Sequence, residues 1–193
     1  MKKPHIFLLV AFLGIGTSTF SQSTKMMFHA GFTYEFFPIK EVGAGSEVNI
    51  LSFYGLAGGM NYVLMHSNDQ FSLLANPNLA LGYTGGYNGP LFMVQAPVFL
   101  SARVGAGSTP FNENKFGFGV GAGVNVNYLY GTFYILQLNH TLFLPSAMAE
   151  FQVNGSNSLY SIRLHLSIMP EQVRFKFNDY NFSNFGLSIN YAF

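Results

Sequence analysis

The last nine residues of the chain, 185–193 (FGLSINYAF), alternate strictly between large apolar side chains and small or polar ones. Phe185, Leu187, Ile189, Tyr191 and Phe193 fall on one set of positions. Because successive side chains of a β-strand point to opposite faces, the segment is predicted to form a strand with one wholly apolar face. In a soluble protein that face would cover a core, whereas in a membrane barrel it would face lipid.

The same alternation recurs along the chain and predicts eight strands, at 25–37, 48–65, 70–84, 91–106, 116–130, 141–153, 159–169 and 185–193. The segments between them are rich in Pro, Gly, Asn and charge and are predicted to be loops and turns, with 131–140 ambiguous between loop and strand. The connections after strands one, three, five and seven are predicted to be the longer ones. This layout predicts an all-β fold, an eight-stranded antiparallel up-and-down transmembrane β-barrel.

Two prolines interrupt predicted strands three and four. Folding the strands about residue 87 brings Pro77 and Pro97 almost opposite one another. Because proline cannot donate a hydrogen bond to a ladder, we predict one shared irregularity there, a bulge.

The composition is unusual for a chain that faces water. Charged residues make up 9% and aromatic residues 17%, against about 25% charged in ordinary soluble domains. The net charge of +1 includes no basic block, which argues against a nucleic-acid partner. With no Cys, the chain has no disulfide, no Cys-ligated metal and no lipid-modified cysteine.

The amino terminus, 1–21, is predicted to be a secretory signal peptide. Lys2 and Lys3 precede an apolar run at 6–16, and small residues before Gln22 suit cleavage there. The run is short for a transmembrane helix, so an uncleaved anchor is the weaker alternative. Residues 22–193 are then predicted to form one barrel domain.

Apart from Lys25 at the new N-terminus, the charged residues that fall within predicted strands all lie on the inward face: Glu35, Arg103, Glu150 and Arg163. A charge on the lipid face at mid-depth would cost about 2–4 kcal/mol, so a membrane would enforce this pattern. Folding strands six and seven about their turn places Glu150 across from Arg163. Arg103 is expected to reach both past the glycines of strand five.

We therefore predict that Arg103, Glu150 and Arg163, termed the charge cluster, form a plug across the periplasmic half of the lumen. Removing Glu150 is expected to destabilise the barrel or to open it to ions, because two arginines would lose their partner. Glu35 is predicted to lie apart, near the opposite mouth. His165 is predicted to line the lumen.

Three segments resemble the small eight-stranded outer-membrane barrel proteins of the OmpX and OmpA-barrel type: 71–83 (FSLLANPNLALGY), 116–128 (FGFGVGAGVNVNY) and 185–193. The resemblance covers the whole mature chain and implies a barrel in the outer membrane of a Gram-negative cell. It implies outer-membrane lipids and the barrel assembly machinery as partners. The chain's end, Tyr191 and Phe193, resembles the signal that this machinery reads.

Candidate chemistry is sparse. His165 and Ser167 are spaced as in a lipid A deacylase of the barrel class, but that chemistry needs a lipid-facing pair and these residues are predicted to face inward. Three further histidines are scattered over different elements and predict no metal site: His29, His66 and His140. We predict no catalytic, cofactor or metal site and no enzyme.

Three functions remain open. The first is a structural or surface-interaction barrel whose lumen is largely filled by side chains. The second is a narrow porin-like channel for small solutes, although eight strands enclose a space that side chains can fill. The third, a soluble lipocalin-like barrel, would keep apolar residues inside and charges outside, the reverse of the pattern seen here.

Overall fold

The computed structural model describes residues 26–43, 48–67, 70–86, 89–133, 136–155, 158–175 and 178–193, so the predicted leader and Gln22 lie outside the described residues. The strands are β1 (Met26–Glu41), β2 (Val48–Ser67), β3 (Phe71–Gly86), β4 (Gly89–Gly105), β5 (Phe116–Phe133), β6 (Leu136–Asn154), β7 (Leu159–Ser167), β8 (Glu171–Phe175), β9 (Asn178–Phe182) and β10 (Phe185–Ala192). In the part of the chain that the structure describes, no helix is long and apolar enough to cross a membrane.

Eight of these strands close into a ring, which confirms the predicted fold class. Each of β1 to β6 pairs antiparallel with the next strand, β7 pairs with β10, and β10 returns to β1. Following paired residues once around the ring from Met26 returns to β1 at Phe36, ten residues further on. This stagger tilts the strands strongly against the barrel axis.

The outward face is apolar and aromatic, as the alternation predicts. Phe32 is 71% exposed and Leu100 is 57% exposed, while the residues between outward positions are largely buried. One row of rings crosses five neighbouring strands in direct register: Tyr34, Tyr54, Tyr83, Phe92 and Tyr130. Aromatic side chains on the outward face are typical of membrane barrels.

The connections differ from the prediction. The end of the barrel away from both termini is termed the far end. There, only residues 87–88 separate β3 from β4, and only residues 134–135 separate β5 from β6. At the terminal end, the β4–β5 turn runs over residues 106–115. Many residues that were predicted to form the long loops belong to strands instead. β2, for example, has 20 residues, whereas about 9–11 residues are enough for a strand to span a membrane.

Residues 170–184, predicted to be a loop, contain the β8–β9 hairpin. It lies at the far end, and β9 pairs with the last residues of β1. Charged residues at the far end, on β1, β8 and β9, lie on strands beyond the expected lipid band and not in loops: Lys40, Glu41, Glu171, Arg174 and Asp179. Of the ambiguous segment 131–140, residues 131–133 extend β5 and residues 136–140 extend β6.

The proline irregularity is real, but it is not a bulge. Pro77 pairs with Val98, the residue after Pro97. The next two pairs of the ladder are missing, and pairing resumes between Ala80 and Gln95 in the same register. No residue is inserted, because both strands lose the same number of pairs. The register shift lies on β2 instead, between Val63 and Met65.

Candidate functional site

The charge cluster lies inside the terminal half of the barrel, and the structure brings its three residues into contact. Arg103 Nη2 lies 3.0 Å from Glu150 Oε1, and Arg163 donates to Glu150 Oε2 from Nε at 2.9 Å and Nη2 at 2.8 Å. All three are buried, at 1%, 1% and 4% exposure. Gln152 Nε2 also donates to Glu150 Oε1, so the carboxylate is fully partnered.

The strand register explains how these side chains meet. Glu150 on β6 pairs directly with Arg163 on β7. Arg103 on β4 is one strand further away, and Gly119 of β5 lies between it and Glu150 in the same row. Because Gly119 has no side chain, the arginine crosses over the intervening strand.

The β4–β5 turn closes the terminal end of the lumen, which the sequence did not indicate. Arg103 Nη1 donates to the carbonyl of Gly107 at 2.7 Å, and Ser108 and Thr109 are buried. Asn154 Nδ2 donates to the carbonyl of Asn112 at 3.0 Å. The turn is therefore folded into the barrel mouth and fastened to both the charge cluster and β6.

A second buried cluster, termed the Glu–His cluster, contains Glu35, His165, Asn184 and Asn125. His165 Nε2 lies 3.0 Å from Glu35 Oε2 and 2.9 Å from Asn184 Oδ1. Asn184 Nδ2 donates to Glu35 Oε2 at 2.9 Å, and Asn125 Nδ2 donates to Asn184 Oδ1 at 2.9 Å. Thr33 Oγ1 donates to Glu35 Oε1 at 2.6 Å, which partners the second carboxylate oxygen.

The placement of Glu35 corrects the sequence reading. Expected near the opposite mouth, it lies in one row with Gly186 and His165, one inward position along β7 from Arg163. The Glu–His cluster therefore lies directly beyond the charge cluster, in the middle of the barrel. Asn184, which joins Glu35 to His165, falls in the segment predicted to be a loop and was missed.

The His165–Ser167 spacing forms no catalytic pair in the described residues. His165 Nε2 is engaged by Glu35 and asparagines, while Ser167 Oγ accepts from the backbone N–H of Asn184 at 2.9 Å. His29, His66 and His140 lie on β1, β2 and β6, and no group of three His, Cys, Asp or Glu residues suited to a metal occurs in the part described.

A cavity of about 20 Å³ lies between the two clusters. Glu35, Arg163, His165 and Gln95 are among the side chains that line it, and Gln95 Nε2 has no hydrogen-bond partner among the described residues. A space of this size holds about one water molecule and is far smaller than a solute pathway.

The far half of the lumen is filled by an apolar layer that the sequence reading did not find. Its residues are Phe37, Ile39, Leu51, Phe53, Leu91, Met93, Leu129, Leu138, Leu142, Leu144, Val173 and Phe182, each at most 4% exposed. Val173 and Phe182 come from the β8–β9 hairpin, which therefore covers the barrel mouth. In segments such as 36–39 (FFPI) both faces are apolar, so alternation cannot indicate which one points inward.

The two residues of the predicted assembly signal close the ring at the terminal end. Tyr191 faces outward, with its ring centroid 5.6 Å from that of Tyr160 and 6.1 Å from that of Phe193. The backbone N–H of Phe193 donates to the carbonyl of Phe28 at 3.0 Å. Their role in assembly stays a prediction.

Several solved barrel structures are similar to this chain. Ail, the attachment invasion locus protein of Yersinia pestis, has 14% identity over 89% of this chain and 100% of its own, with a TM-score of 0.47. Neisserial surface protein A has 10% identity over 86% and 95%, with a TM-score of 0.47. The N-terminal β-barrel domain of Pseudomonas aeruginosa OprF has 16% identity over 83% and 96%, with a TM-score of 0.37.

These proteins are small outer-membrane β-barrels, the class that the sequence was predicted to resemble. At these identities the likeness is one of fold. No protein-family model and no curated protein matches the chain.

Proposed function

We propose that the protein is an integral outer-membrane barrel with a closed interior, which acts through its surface and as a structural element of the membrane. The proposal is supported by the four layers of residues that fill the lumen one after another. The β4–β5 turn, the charge cluster, the Glu–His cluster and the apolar layer follow one another from the terminal end to the far end. A solute would have to displace all four.

The proposed location in the outer membrane is inferred from the apolar outward face of the barrel. Side chains such as Phe32, Leu56 and Ile162 stand exposed around the ring, while the charged side chains in the middle of the described ring strands are turned inward and have partners: Glu35, Arg103, Glu150 and Arg163. Water would penalise so large an exposed apolar surface, whereas hydrocarbon favours it. Membrane lipids are therefore the first partner, and the barrel assembly machinery is the partner that inserts the chain.

Conductance in a planar bilayer tests the closed interior. The purified, refolded protein should insert and show no steady current, since no layer of the lumen is open to water. A steady current from wild-type protein would instead support a narrow channel. An unboiled gel sample with the shifted mobility of a folded barrel controls for insertion of unfolded chain.

Cell fractionation with intact-mass measurement tests location and processing. We expect the protein in the outer-membrane fraction, with a mass that corresponds to a chain beginning near Gln22. Recovery from the soluble periplasm, or with residues 1–21 retained, would contradict this part of the proposal.

A further inference from the structure

The cavity in the middle of the lumen borders both polar clusters. Arg163 of the charge cluster lines it, and so do Glu35 and His165 of the Glu–His cluster. Its volume of about 20 Å³ is enough for one water molecule and too small for an organic solute. Whatever occupies this cavity therefore lies within reach of both clusters at once.

Two alanines leave the space open. Ala57 on β2 pairs with Ala80 on β3, which pairs with Gln95 on β4, and all three residues line the cavity. Because an alanine side chain ends at Cβ, neither alanine extends far into the lumen beside Gln95. Asn78 and Pro97, which belong to the interrupted part of the β3–β4 ladder, line the cavity as well. The strand register thus creates a small space at this level of the barrel.

The amide of Gln95 points to an occupant. The side chain is 2% exposed, and its Nε2 has no hydrogen-bond partner among the described residues. A buried N–H group without a partner is unfavourable, and buried polar groups in proteins are satisfied by other protein groups or by ordered water. An occupant that accepts a hydrogen bond from Gln95 would remove this cost.

The charges around the cavity favour a neutral occupant. The carboxylate of Glu35 would repel an anion in so small a space, and the guanidinium of Arg163 would repel a cation. Water is neutral, and it can accept from Gln95 and Arg163 while it donates to Glu35. Glu35 Oε1 already accepts from Thr33 Oγ1 at 2.6 Å, but a carboxylate oxygen has a second lone pair. A buried water makes about three hydrogen bonds, which this set supplies.

We propose that the cavity is a binding site for one water molecule, which accepts a hydrogen bond from Gln95 Nε2 and joins Glu35 of the Glu–His cluster to Arg163 of the charge cluster. Through this water the two clusters form one continuous polar network across the middle of the lumen. The layers on either side enclose the water, so it exchanges with bulk solvent only when the barrel opens locally. The proposal requires the folded ring and is independent of the membrane location and of a surface role.

A crystal structure at a resolution that shows ordered solvent tests the site. We expect one density peak within about 3.2 Å of Gln95 Nε2, of a Glu35 carboxylate oxygen and of an Arg163 nitrogen. Crystals grown in bromide and in rubidium salts should show no anomalous signal at this peak. An unoccupied cavity overturns the proposal, and an anomalous signal overturns it in favour of an ion. A peak that contacts Gln95 alone overturns the bridge between the clusters.

NMR in detergent micelles tests the site in solution. In isotope-labelled protein, a rotating-frame spectrum should show dipolar transfer from water to the side-chain amide of Gln95, with a sign opposite to that of chemical exchange. Ala80→Val places additional methyl groups at the cavity and should abolish the transfer. Ala75→Val is the matched control and should retain it, because Ala75 lies on the outward face of the same strand, between the buried Leu74 and Asn76.

The filling variant also separates bound water from a known artefact. Hydroxyl protons that exchange rapidly with water can imitate the transfer, and Thr33 and Ser188 line the same cavity. Both hydroxyls remain in Ala80→Val, so transfer relayed through them would persist there. Gel shift confirms that each variant is folded, and Ala57→Val fills the space from β2 if Ala80→Val does not fold. Absence of transfer in wild type, or equal transfer in wild type and a folded filling variant, overturns the water site.

Discussion

Glu35 and His165 lie on β1 and β7, two strands that do not pair, and their side chains meet over Gly186 of the strand between them. Arg103 and Glu150 meet in the same way over Gly119 of β5. Each of these two side-chain contacts therefore depends on a strand position without a side chain. The two glycines, Gly186 and Gly119, differ in how closely these side chains approach them. This difference gives the first prediction.

Gly186→Ala should destabilise the barrel by about 1–3 kcal/mol, since the new methyl group would overlap both the His165 ring and the Glu35 carboxylate. Gly119→Ala is the matched control. Its Cβ would lie 3.5 Å from the Ala102 carbonyl oxygen and 3.6 Å from Arg103 Cγ, which is ordinary contact. Urea unfolding followed by gel shift compares the two, and equal midpoints would contradict the spacing argument.

The charge cluster gives the second prediction. Glu150→Ala should lower the free energy of unfolding by about 3–5 kcal/mol, because two buried arginines lose their common partner. Asp179→Ala is the control, since the Arg174–Asp179 pair is exposed and 3.9 Å long and should contribute at most about 1 kcal/mol. A Glu150→Ala midpoint no lower than that of Asp179→Ala would show that the cluster adds nothing to stability.

The difference between what was predicted and what was missed has a physical cause. Strand faces follow from a period of two, and the Glu150–Arg163 pairing follows from the short turn that fixes the β6–β7 register. The closing pair, β1 with β10, has no turn between its strands, so its register cannot be read from the sequence. Ten residues of stagger around the ring therefore bring Glu35 to mid-barrel beside His165.

The apolar layer and the hairpin were missed for a different reason. Where Phe37 and Ile39 alternate with other apolar residues, neither face is polar and the pattern gives no inward direction. Residues 171–182 have the charge of a loop, because their strands extend beyond the lipid band into water. In both regions the signal depends on depth in the membrane, which periodicity does not report.

The end of the chain gives the third prediction. Deleting Phe193, or replacing it with Asp, should reduce barrel yield in cells far more than refolding in detergent. The ring of Phe193 contacts Tyr191 at the surface and contributes little buried area, so its main role is expected in recognition by the assembly machinery. Phe116→Asp, an exposed aromatic at the same end, is the control. Equal yields in cells for wild type and the Phe193 variants would refute the role.

The last prediction concerns two of the four layers that fill the lumen. Phe37 and Phe53, with ring centroids 5.7 Å apart, belong to the apolar layer, whereas Glu150 belongs to the charge cluster near the other end. Because the layers lie in series, hydrating one leaves the other dry. Glu150→Gln alone and Phe53→Ala alone should therefore both stay silent in a planar bilayer, and current should appear only when the two changes are combined.

The conductance comparison needs variants that still fold. Each is first checked by gel shift, since removing the Phe53 ring is expected to cost about 3–5 kcal/mol. Phe32→Ala, which removes an outward ring, serves as the control and should remain silent with or without Glu150→Gln. Steady current from Glu150→Gln alone would show that the apolar layer is already permeable to ions. The closure of the lumen would then depend on the charge cluster and not on the far half of the barrel.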